Sequence, residues 1–291
     1  MIGASRKAAS DSTADRPGHR AKQGKGSGPR ARKRFGQHFL HDPGAIERIV
    51  AAVSPGPADR LVEIGPGRGA LTQALLQSPC RSLDAVEIDR DLAALLREAF
   101  AAQQRFTLHE ADALRFDFTA LARERGPLRV VGNLPYNIST PLLFHLLKSV
   151  QGITDLHVML QREVIERMAA APGDGAYGRL TVMLAPWVAV KRLFDLGPGA
   201  FHPPPAVWSA LARLTVRPRP AFPVSPAFAA IVAAAFAHRR KTLRNALKGL
   251  ASAEQIERCG VDPAARPETL PPEAFNAIAE QAGAAPGARL S

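Results

Sequence analysis

The chain has few of the features that define several large classes of protein. Two cysteines occur among 291 residues, Cys80 and Cys259, and they lie far apart without metal-like spacing. We interpret both as ordinary thiols of a reducing compartment, which excludes a disulfide framework. No apolar run approaches the ~18 residues of a transmembrane helix, and the N-terminus lacks the apolar core of a secretory signal. We therefore predict a cytoplasmic protein without a membrane partner and, since His38 and His41 have no third ligand nearby, without a metal.

Positive charge, by contrast, is abundant and unevenly distributed. The net charge is +12, and residues 1–34 carry eight of these charges, from ten basic and two acidic side chains. Residues 1–30 contain almost no large apolar side chains, so they cannot bury enough surface to offset chain entropy, and they are predicted to form a disordered basic arm. Such an arm attracts polyanions, most commonly nucleic acid, with a solubilising tail as the alternative.

Strands and helices alternate along the middle of the chain. Short apolar runs are separated by segments with helical spacing, which predicts βαβ units and a mostly parallel sheet. Two later β-like runs, 180–194 and 207–216, are expected to add an antiparallel edge. The predicted strands are 61–64, 83–88, 106–109, 129–132 and 156–160, and the predicted helices between them include 43–53, 70–77 and 92–102.

A segment of alternating Arg and Pro, 217–220, marks a predicted domain boundary. Beyond it, helical patterns over 225–250, 253–259 and 272–282 indicate a small C-terminal α-helical domain. The predicted organisation is therefore a basic arm over 1–30, an α/β domain over 31–216 and a helical domain over 217–291.

A glycine loop after the first of these strands indicates a nucleoside-containing ligand. Gly65, Gly67 and Gly69 follow the strand and open a helix, where glycine allows a tight turn and close approach to a ligand. Glu87 ends the next strand, where its carboxylate can accept hydrogen bonds from ribose hydroxyls. The loop alone does not distinguish a dinucleotide from S-adenosylmethionine, and a turn without a ligand is the simpler alternative.

Two polar residues after the following strands favour the methyl donor. Asp112 follows the third strand, where it can meet an adenine edge, although it could simply cap a helix. Asn133 begins the segment Asn133-Leu134-Pro135-Tyr136 after the fourth strand. The Asn133 oxygen and the Leu134 carbonyl can accept both protons of an exocyclic amine, Pro135 stiffens the backbone that presents that carbonyl, and Tyr136 offers a stacking face. This arrangement predicts methyl transfer to the amine nitrogen of a base, driven mainly by positioning and electrostatics.

Two further segments suit a nucleic-acid substrate. Phe201 precedes three consecutive prolines, which could fix its ring over the cleft as a second stacking face, or it could lie in the core. Arg239, Arg240, Lys241 and Arg244 lie within the predicted helix 225–250, where they would form a basic stripe for phosphates, unless they are only a solvated helix face.

Taken in order along the chain, these motifs resemble the small-subunit (16S) ribosomal RNA adenine dimethyltransferases, the KsgA/RsmA family. The resemblance covers about residues 31–280 and leaves out only the arm. The segments that carry it are 32–40, 63–69, 133–141, 161–168, 201–211 and 239–247.

The resemblance implies a class I methyltransferase, with a Rossmann-like, mostly parallel sheet, that transfers four methyl groups from S-adenosylmethionine to two adjacent adenines near the 3′ end of small-subunit rRNA. It further implies that the substrate is an assembling 30S subunit, and we predict that the protein is a monomer. The residues implied to contact the donor are His38, Leu40, Gly65, Gly67, Glu87, Asp112 and Asn133. Those implied to hold the base are Asn133, Leu134, Pro135, Tyr136 and Phe201. Those implied to bind RNA are Arg32, Lys33, Arg34, Arg239, Arg240, Lys241 and Arg244.

Four alternatives stay open from the sequence. A large-subunit rRNA adenine methylase of the antibiotic-resistance type shares the Asn-x-Pro-Tyr motif. A mitochondrial relative would differ in its cellular localisation. A mainly non-catalytic ribosome assembly factor would keep the RNA-binding surfaces without transfer. An NAD-dependent oxidoreductase would use the glycine loop for a dinucleotide.

Overall fold

The computed structural model describes residues 37–238 and 240–283. The predicted basic arm therefore lies outside the described residues, as do Arg32, Lys33, Arg34 and Arg239.

The first part of the described chain alternates strands and helices, as the sequence predicts. Asp42 caps the first helix by accepting a hydrogen bond from the Ala45 N–H at 2.6 Å, and Pro43 occupies its first turn. The elements are β1 (Phe39–Leu40), α1 (Pro43–Val53), β2 (Arg60–Ile64), α2 (Ala70–Gln77), β3 (Ser82–Glu87), α3 (Arg90–Ala99), β4 (Phe106–Glu110), α4 (Phe118–Arg125), β5 (Leu128–Asn133), α5 (Ser139–Lys148) and β6 (Ile153–Gln161).

The second part completes the sheet and then becomes helical. Its elements are α6 (Arg162–Ala169), α7 (Arg179–Leu184), β7 (Val188–Leu196), β8 (Phe201–His202), β9 (Ser209–Val216), α8 (Phe228–Ala237), α9 (Leu243–Ala246), α10 (Ala253–Arg258) and α11 (Pro272–Gly283).

The central sheet has seven strands in the order β4-β3-β2-β5-β6-β9-β7. Strand β9 runs antiparallel to both of its neighbours, and the other pairs are parallel, which confirms the predicted mostly parallel sheet. The strand order reverses between β2 and β5. In open α/β sheets a ligand crevice forms at the carboxyl ends of the strands beside such a reversal. The fold therefore predicts a ligand-binding site at the loops after β2 and β5.

Each face of the sheet packs against its own helices. Successive residues of a strand point to opposite faces, and accordingly Val62 and Val130 belong to one apolar cluster while Leu61 and Val131 belong to another. Helices α4, α5 and α6 contribute to the first cluster, and α1 and α2 contribute to the second. A third cluster joins the helices after residue 217, and it also includes Tyr177 from before α7.

The predicted β-run 180–194 is wrong over its first half, because residues 179–184 form α7. The Gly178 carbonyl accepts from the Val182 N–H at 3.1 Å, and Val182 is buried in the C-terminal cluster. Pro186 follows the end of the helix, and the strand begins only at Val188. Burial against the C-terminal helices therefore overrides the β propensity of this run.

The predicted helix 225–250 is also wrong as a single element. Helix α8 ends at Ala237, and the backbone N–H groups of Leu243 and Arg244 donate to the carbonyls of Ala265 and Pro263 at 2.9 and 3.0 Å. The loop 263–265 thus supplies partners that an uninterrupted helix would supply itself. Arg240 and Lys241 lie in the intervening turn and Arg244 lies in α9, so these three described residues do not form the predicted basic stripe on one helix face.

Candidate active site at the carboxyl edge of the sheet

The loops that follow β2, β3, β4 and β5 enclose a cavity of about 240 Å³. It lies at the carboxyl edge of the sheet, next to the reversal in strand order. Nine of the residues that the sequence analysis singled out line the wall of this cavity: His38, Gly65, Gly67, Glu87, Asp112, Asn133, Leu134, Pro135 and Tyr136.

Glycine is required at three points around this cavity. Gly65 and Gly67 have φ of 67° and 60°, in the left-handed region. A Cβ on Gly67 would lie 2.9 Å from the Phe39 ring. A Cβ on Gly132 would lie 2.6 Å from the Ile64 carbonyl oxygen, so only glycine lets β2 and β5 pair closely just before the site.

Glu87 holds the glycine loop against the end of β3. Its two carboxylate oxygens accept hydrogen bonds from the Gly67 N–H at 3.2 Å and the Asp89 N–H at 2.9 Å. Burial raises the pKa of the Glu87 carboxyl above its ordinary value, although these backbone hydrogen bonds oppose the shift. Each carboxylate oxygen has a second lone pair, so the group can also accept from hydroxyls in the cavity.

Asp112 caps the local backbone after β4, which was the simpler alternative to a ligand-binding role, and it also lines the cavity. Its Oδ1 accepts from the Leu114 N–H at 2.9 Å, in the turn after β4. Its Oδ2 is 4.0 Å from the guanidinium of the exposed Arg115. Because only one oxygen is used by the turn, the other can accept a hydrogen bond from a ligand.

The side-chain amide of Asn133 is oriented by the segment before β1. Its Nδ2 donates to the His38 carbonyl oxygen at 2.8 Å. A carbonyl can only accept, so the nitrogen must face His38, and the amide oxygen is the atom that remains to accept from a ligand. The neighbouring Leu134 N–H donates to the Met159 carbonyl at 3.2 Å, while the Leu134 side chain is buried. Leu134 can therefore act on a ligand only through its backbone.

The ring of Tyr136 is fixed from two sides. Its hydroxyl shares a hydrogen bond of 2.5 Å with Ser209 Oγ, and the His38 ring stacks on it with a centroid distance of 5.6 Å and an interplanar angle of 28°. His38 is held in turn by a 2.7 Å hydrogen bond from Nδ1 to the Pro203 carbonyl. Burial raises the pKa of the Tyr136 hydroxyl, so the ring remains neutral at physiological pH.

Two predicted site residues lie elsewhere. Phe201 is 2% exposed and packs in the apolar cluster beneath α1 and α2, so the prediction that its ring faces the cleft is wrong for this structure. The cause is the pairing of β8 with β1, which matches Phe201 with Leu40. Leu40 is also buried, and it lines a smaller space beside the glycine loop and not the main cavity. The aromatic ring that faces Tyr136 is that of His38.

Glu63 is a buried carboxyl that the sequence reasoning did not single out. It is 2% exposed at the end of β2, beside the glycine loop, and it accepts a hydrogen bond from the Thr72 hydroxyl at 2.6 Å. Burial raises its pKa from 4.5 to about 7, with an opposing effect from Thr72 and a further increase from the charge of Glu87. The closeness of Glu63 to the glycine loop in the sequence could have marked it as a candidate site residue. The burial of Glu63, however, depends on the packing of α2, which the local sequence does not show.

The pKa of Glu63 predicts a pH-dependent stability. Between its ordinary pKa of 4.5 and about 7, the folded state binds the Glu63 proton more tightly than the unfolded chain does. The free energy of unfolding should therefore fall as the pH rises through this window, by roughly 3 kcal/mol at most. Glu63→Gln should remove this dependence, which urea unfolding of both proteins at pH 5 and pH 8 would measure. Equal pH dependence in the two proteins would contradict the assignment.

Two other kinds of site are absent from the described part of the chain. Residues 37–238 and 240–283 contain no group of three or more His, Cys, Asp or Glu side chains that could hold a metal ion. Within the same ranges, no helix has both the length and the apolar character needed to cross a membrane.

The sheet order and the cavity at its carboxyl edge define a class I methyltransferase. A family model described as "Ribosomal RNA adenine dimethylase" matches residues 28–283. The chain therefore belongs to the ribosomal RNA adenine dimethylase family.

Curated relatives agree with this membership, and solved structures agree with the fold. "Ribosomal RNA small subunit methyltransferase A" of Pseudomonas aeruginosa is 53% identical, over 89% of this chain and 97% of the relative. The protein of the same name from Methylococcus capsulatus is 56% identical, over 82% and 93%. The 23S rRNA methyltransferase ErmE is 26% identical with a TM-score of 0.65, over 84% of this chain and 99% of that one. A dimethyladenosine transferase from Plasmodium falciparum is 23% identical, over 83% and 96%, and its TM-score of 0.69 supports the fold alone.

Proposed function

We propose that the chain transfers methyl groups from S-adenosylmethionine to the N6 amines of two adjacent adenines near the 3′ end of small-subunit rRNA. The orientation of the Asn133 amide is the single observation that carries this proposal, because it presents an oxygen acceptor at the edge of the cavity. The names of the curated relatives favour the small subunit as the source of the adenines.

The residues around the cavity fit the methyl donor. Glu87 is suited to ribose hydroxyls and Asp112 to an adenine amine, since both carboxylates have acceptor capacity beyond their backbone hydrogen bonds. Gly65 and Gly67 both line the cavity without a Cβ; such an atom would lie 3.8 Å from the Asn133 carbonyl oxygen at Gly65 and 2.9 Å from the Phe39 ring at Gly67. S-adenosylmethionine, when bound, would supply a methyl group on a sulfonium; as the N6–methyl bond forms, the sulfur would leave as the neutral thioether of S-adenosylhomocysteine, and the methylated nitrogen would lose one proton.

The Asn133-Leu134-Pro135-Tyr136 segment is suited to the adenine that receives the methyl group. The amine of adenine is a poor nucleophile because its lone pair is delocalised into the ring. Hydrogen bonds from the amine to the Asn133 oxygen and the Leu134 carbonyl favour a pyramidal nitrogen with a usable lone pair. Pro135 restricts the backbone that presents the carbonyl, and Tyr136 supports the base through its ring. Rate enhancement at this site then comes from positioning and not from a covalent intermediate.

We further propose that the chain acts as a cytoplasmic monomer on the assembling 30S subunit. The C-terminal helices would form a docking domain over 217–291, separate from the catalytic domain over 31–216. Arg240, Lys241 and Arg244 are exposed in and after the turn that ends α8, where they can contact phosphates without forming a helical stripe. Arg32, Lys33, Arg34 and Arg239 are proposed to contribute to the same electrostatic attraction.

Reversing the charge of this turn should weaken subunit binding. Arg240→Glu with Arg244→Glu should lower the affinity for small subunits about 10-fold or more, and reduce the slope of log affinity against log salt by roughly 2. Arg81→Glu with Arg123→Glu is the matched control, because both arginines are exposed outside the C-terminal helices, just before β3 and on α4, and the net charge changes equally. Filter binding at several salt concentrations provides the measurement. Equal weakening by the two double variants would contradict a local docking site.

A methyl-incorporation assay distinguishes the proposal from its alternatives. The chain is incubated with labelled S-adenosylmethionine and with under-methylated small subunits or large subunits. We expect incorporation into small subunits. Incorporation into large subunits would favour the ErmE-type specificity, and donor binding without incorporation would favour an assembly factor. Calorimetric binding of NAD instead of the methyl donor would favour an oxidoreductase.

A further inference from the structure

An exposed apolar pair lies immediately before β9. The Trp208 side chain is 51% exposed, and that of Val207 is 44% exposed. Together with Gln161, Arg162, Glu163 and Glu166 they line a groove of about 320 Å³. Single exposed apolar residues are common, but an exposed tryptophan beside a groove is a frequent means of binding a flat ligand.

The backbone of Trp208 is firmly held although its ring is exposed. The Trp208 carbonyl accepts a hydrogen bond from the Arg162 N–H at 2.9 Å, at the start of α6. The six-membered part of the indole lies close to Gly197, since a Cβ on that glycine would be 3.6 Å from Cη2. One part of the ring is thus supported by the main chain, and the rest faces solvent. Such a ring can stack on a ligand with little loss of conformational entropy.

The register of the sheet puts Trp208 at the same carboxyl edge as the candidate active site. Ser209 pairs with Gln161, the last residue of β6, so Trp208 lies just beyond the carboxyl edge of the parallel strands. Ser209 itself holds the Tyr136 hydroxyl at 2.5 Å. Trp208 is therefore the chain neighbour of the residue that positions the proposed base-stacking ring.

The charges around the groove are balanced, which argues against a phosphate site. Arg162 lies 3.4 Å from Glu166, and Arg192 contacts both Glu166 and Asp195, at 3.4 and 2.5 Å. The cations are therefore already paired with carboxylates. Recognition at this surface would come from the ring and not from ionic attraction. The exposed pair is also small compared with the ~1,200 Å² that a stable protein–protein interface buries.

We infer that Trp208 stacks on an unpaired base of the substrate RNA, next to the adenine that receives the methyl group. This inference rests on the proposed function. Aromatic stacking is the usual way in which proteins hold single-stranded RNA bases, and it needs no particular base because every base has a π-face. The role of Trp208 is to position the strand that enters the site, and its indole takes no part in the transfer itself.

The test measures methylation kinetics on under-methylated small subunits. Trp208→Ala should lower kcat/KM by roughly 5- to 150-fold, which corresponds to the ~1–3 kcal/mol of stacking on one base. The loss should lie mainly in KM, with unchanged donor affinity by calorimetry and an unchanged salt slope. Trp208→Phe should restore most of the activity, and Trp208→Leu, which keeps apolar area without a π-face, should not. Arg123→Ala, at an exposed arginine on α4 that lies outside the proposed binding surfaces, is the control and should leave the kinetics unchanged.

Three outcomes would overturn the inference. Unchanged kinetics in Trp208→Ala would show that no base stacks there, and full activity in Trp208→Leu would indicate an apolar protein contact instead. Equal losses of kcat and donor affinity would assign Trp208 to the fold of the site. If the unaltered chain methylates no subunit at all, the proposed function fails, and this inference fails with it.

Discussion

Asn133→Ala should lower the rate of methyl transfer by about 10²–10³-fold, the range expected for loss of one well-placed hydrogen-bonding group at a reacting centre. The substitution removes the amide oxygen proposed to accept from the adenine amine. It also removes the 2.8 Å hydrogen bond from Nδ2 to the His38 carbonyl. Asn133 is the last residue of β5, and its side chain is only partly buried, so the fold should survive. Single-turnover transfer and far-UV circular dichroism would measure the two effects.

Asn133→Asp separates the two hydrogen bonds. The carboxylate keeps an oxygen for the amine, but it cannot donate to the His38 carbonyl and places a negative charge beside that oxygen. We expect this variant to be impaired as well, because the side chain would turn away from His38. Ser139→Ala, which removes a 3.1 Å hydrogen bond to the Tyr136 carbonyl, serves as a nearby comparison and should have a smaller effect. Near-normal transfer by Asn133→Ala would contradict the proposed mechanism.

Arg129→Met should lower the free energy of unfolding by about 3–5 kcal/mol, because it leaves the buried Asp155 and the partly buried Asp59 without their cation. Arg129 donates to Asp155 at 2.9 Å, to Asp59 at 2.6 Å and to the Val53 carbonyl at 2.7 Å. Its side chain and that of Asp155 are each only 12% exposed. These contacts join β5 to β6, to the end of α1 and to the start of β2, at the amino edge of the sheet.

Urea unfolding would measure this loss, and Arg123→Met is the matched control. Arg123 is exposed on α4, so its replacement should change the free energy of unfolding by no more than about 0.5 kcal/mol. Because Arg129 lies at the edge of the sheet opposite the cavity, the folded fraction of Arg129→Met should bind the methyl donor with unchanged affinity. A loss of less than about 1 kcal/mol would show that the cluster does not stabilise the fold.

Local sequence signals predicted the parallel sheet and nine of the 19 residues that line the cavity. Asp42 and Pro43 define the start of α1, and the helix 70–77 was predicted with its observed bounds. Such features depend on capping, turn chemistry and apolar spacing within a few residues. Glu87, Asp112 and Asn133 meet in the cavity because the carboxyl ends of parallel strands lie at one edge.

The predictions that were wrong depended on contacts between distant parts of the chain. Phe201 is buried because β8 pairs with β1, more than 160 positions earlier, and no local signal contains that pairing. The break after Ala237 arises because the loop 263–265 accepts hydrogen bonds from Leu243 and Arg244. The stack of His38 on Tyr136 has the same origin, since the segment before β1 crosses the end of β5.

Double methylation places a further demand on the proposed site. After the first transfer the amine has one proton, so it cannot satisfy both the Asn133 oxygen and the Leu134 carbonyl. Tyr136 is held by Ser209 and His38, so the freedom to rotate the monomethylated base must come from the base itself and not from this ring. The base could rotate in this way if it stacks on the fixed Tyr136 ring and is held at its edge only by hydrogen bonds to Asn133 and Leu134.

Mapping the modified nucleotides of under-methylated small subunits, after incubation with the chain and S-adenosylmethionine, tests the central claim most directly. The proposed site predicts N6,N6-dimethyladenine at two adjacent adenines near the 3′ end of the small-subunit rRNA. Methyl groups at other positions, or on nitrogen atoms other than N6, would contradict the assignment of Asn133 and Leu134 as acceptors for the adenine amine.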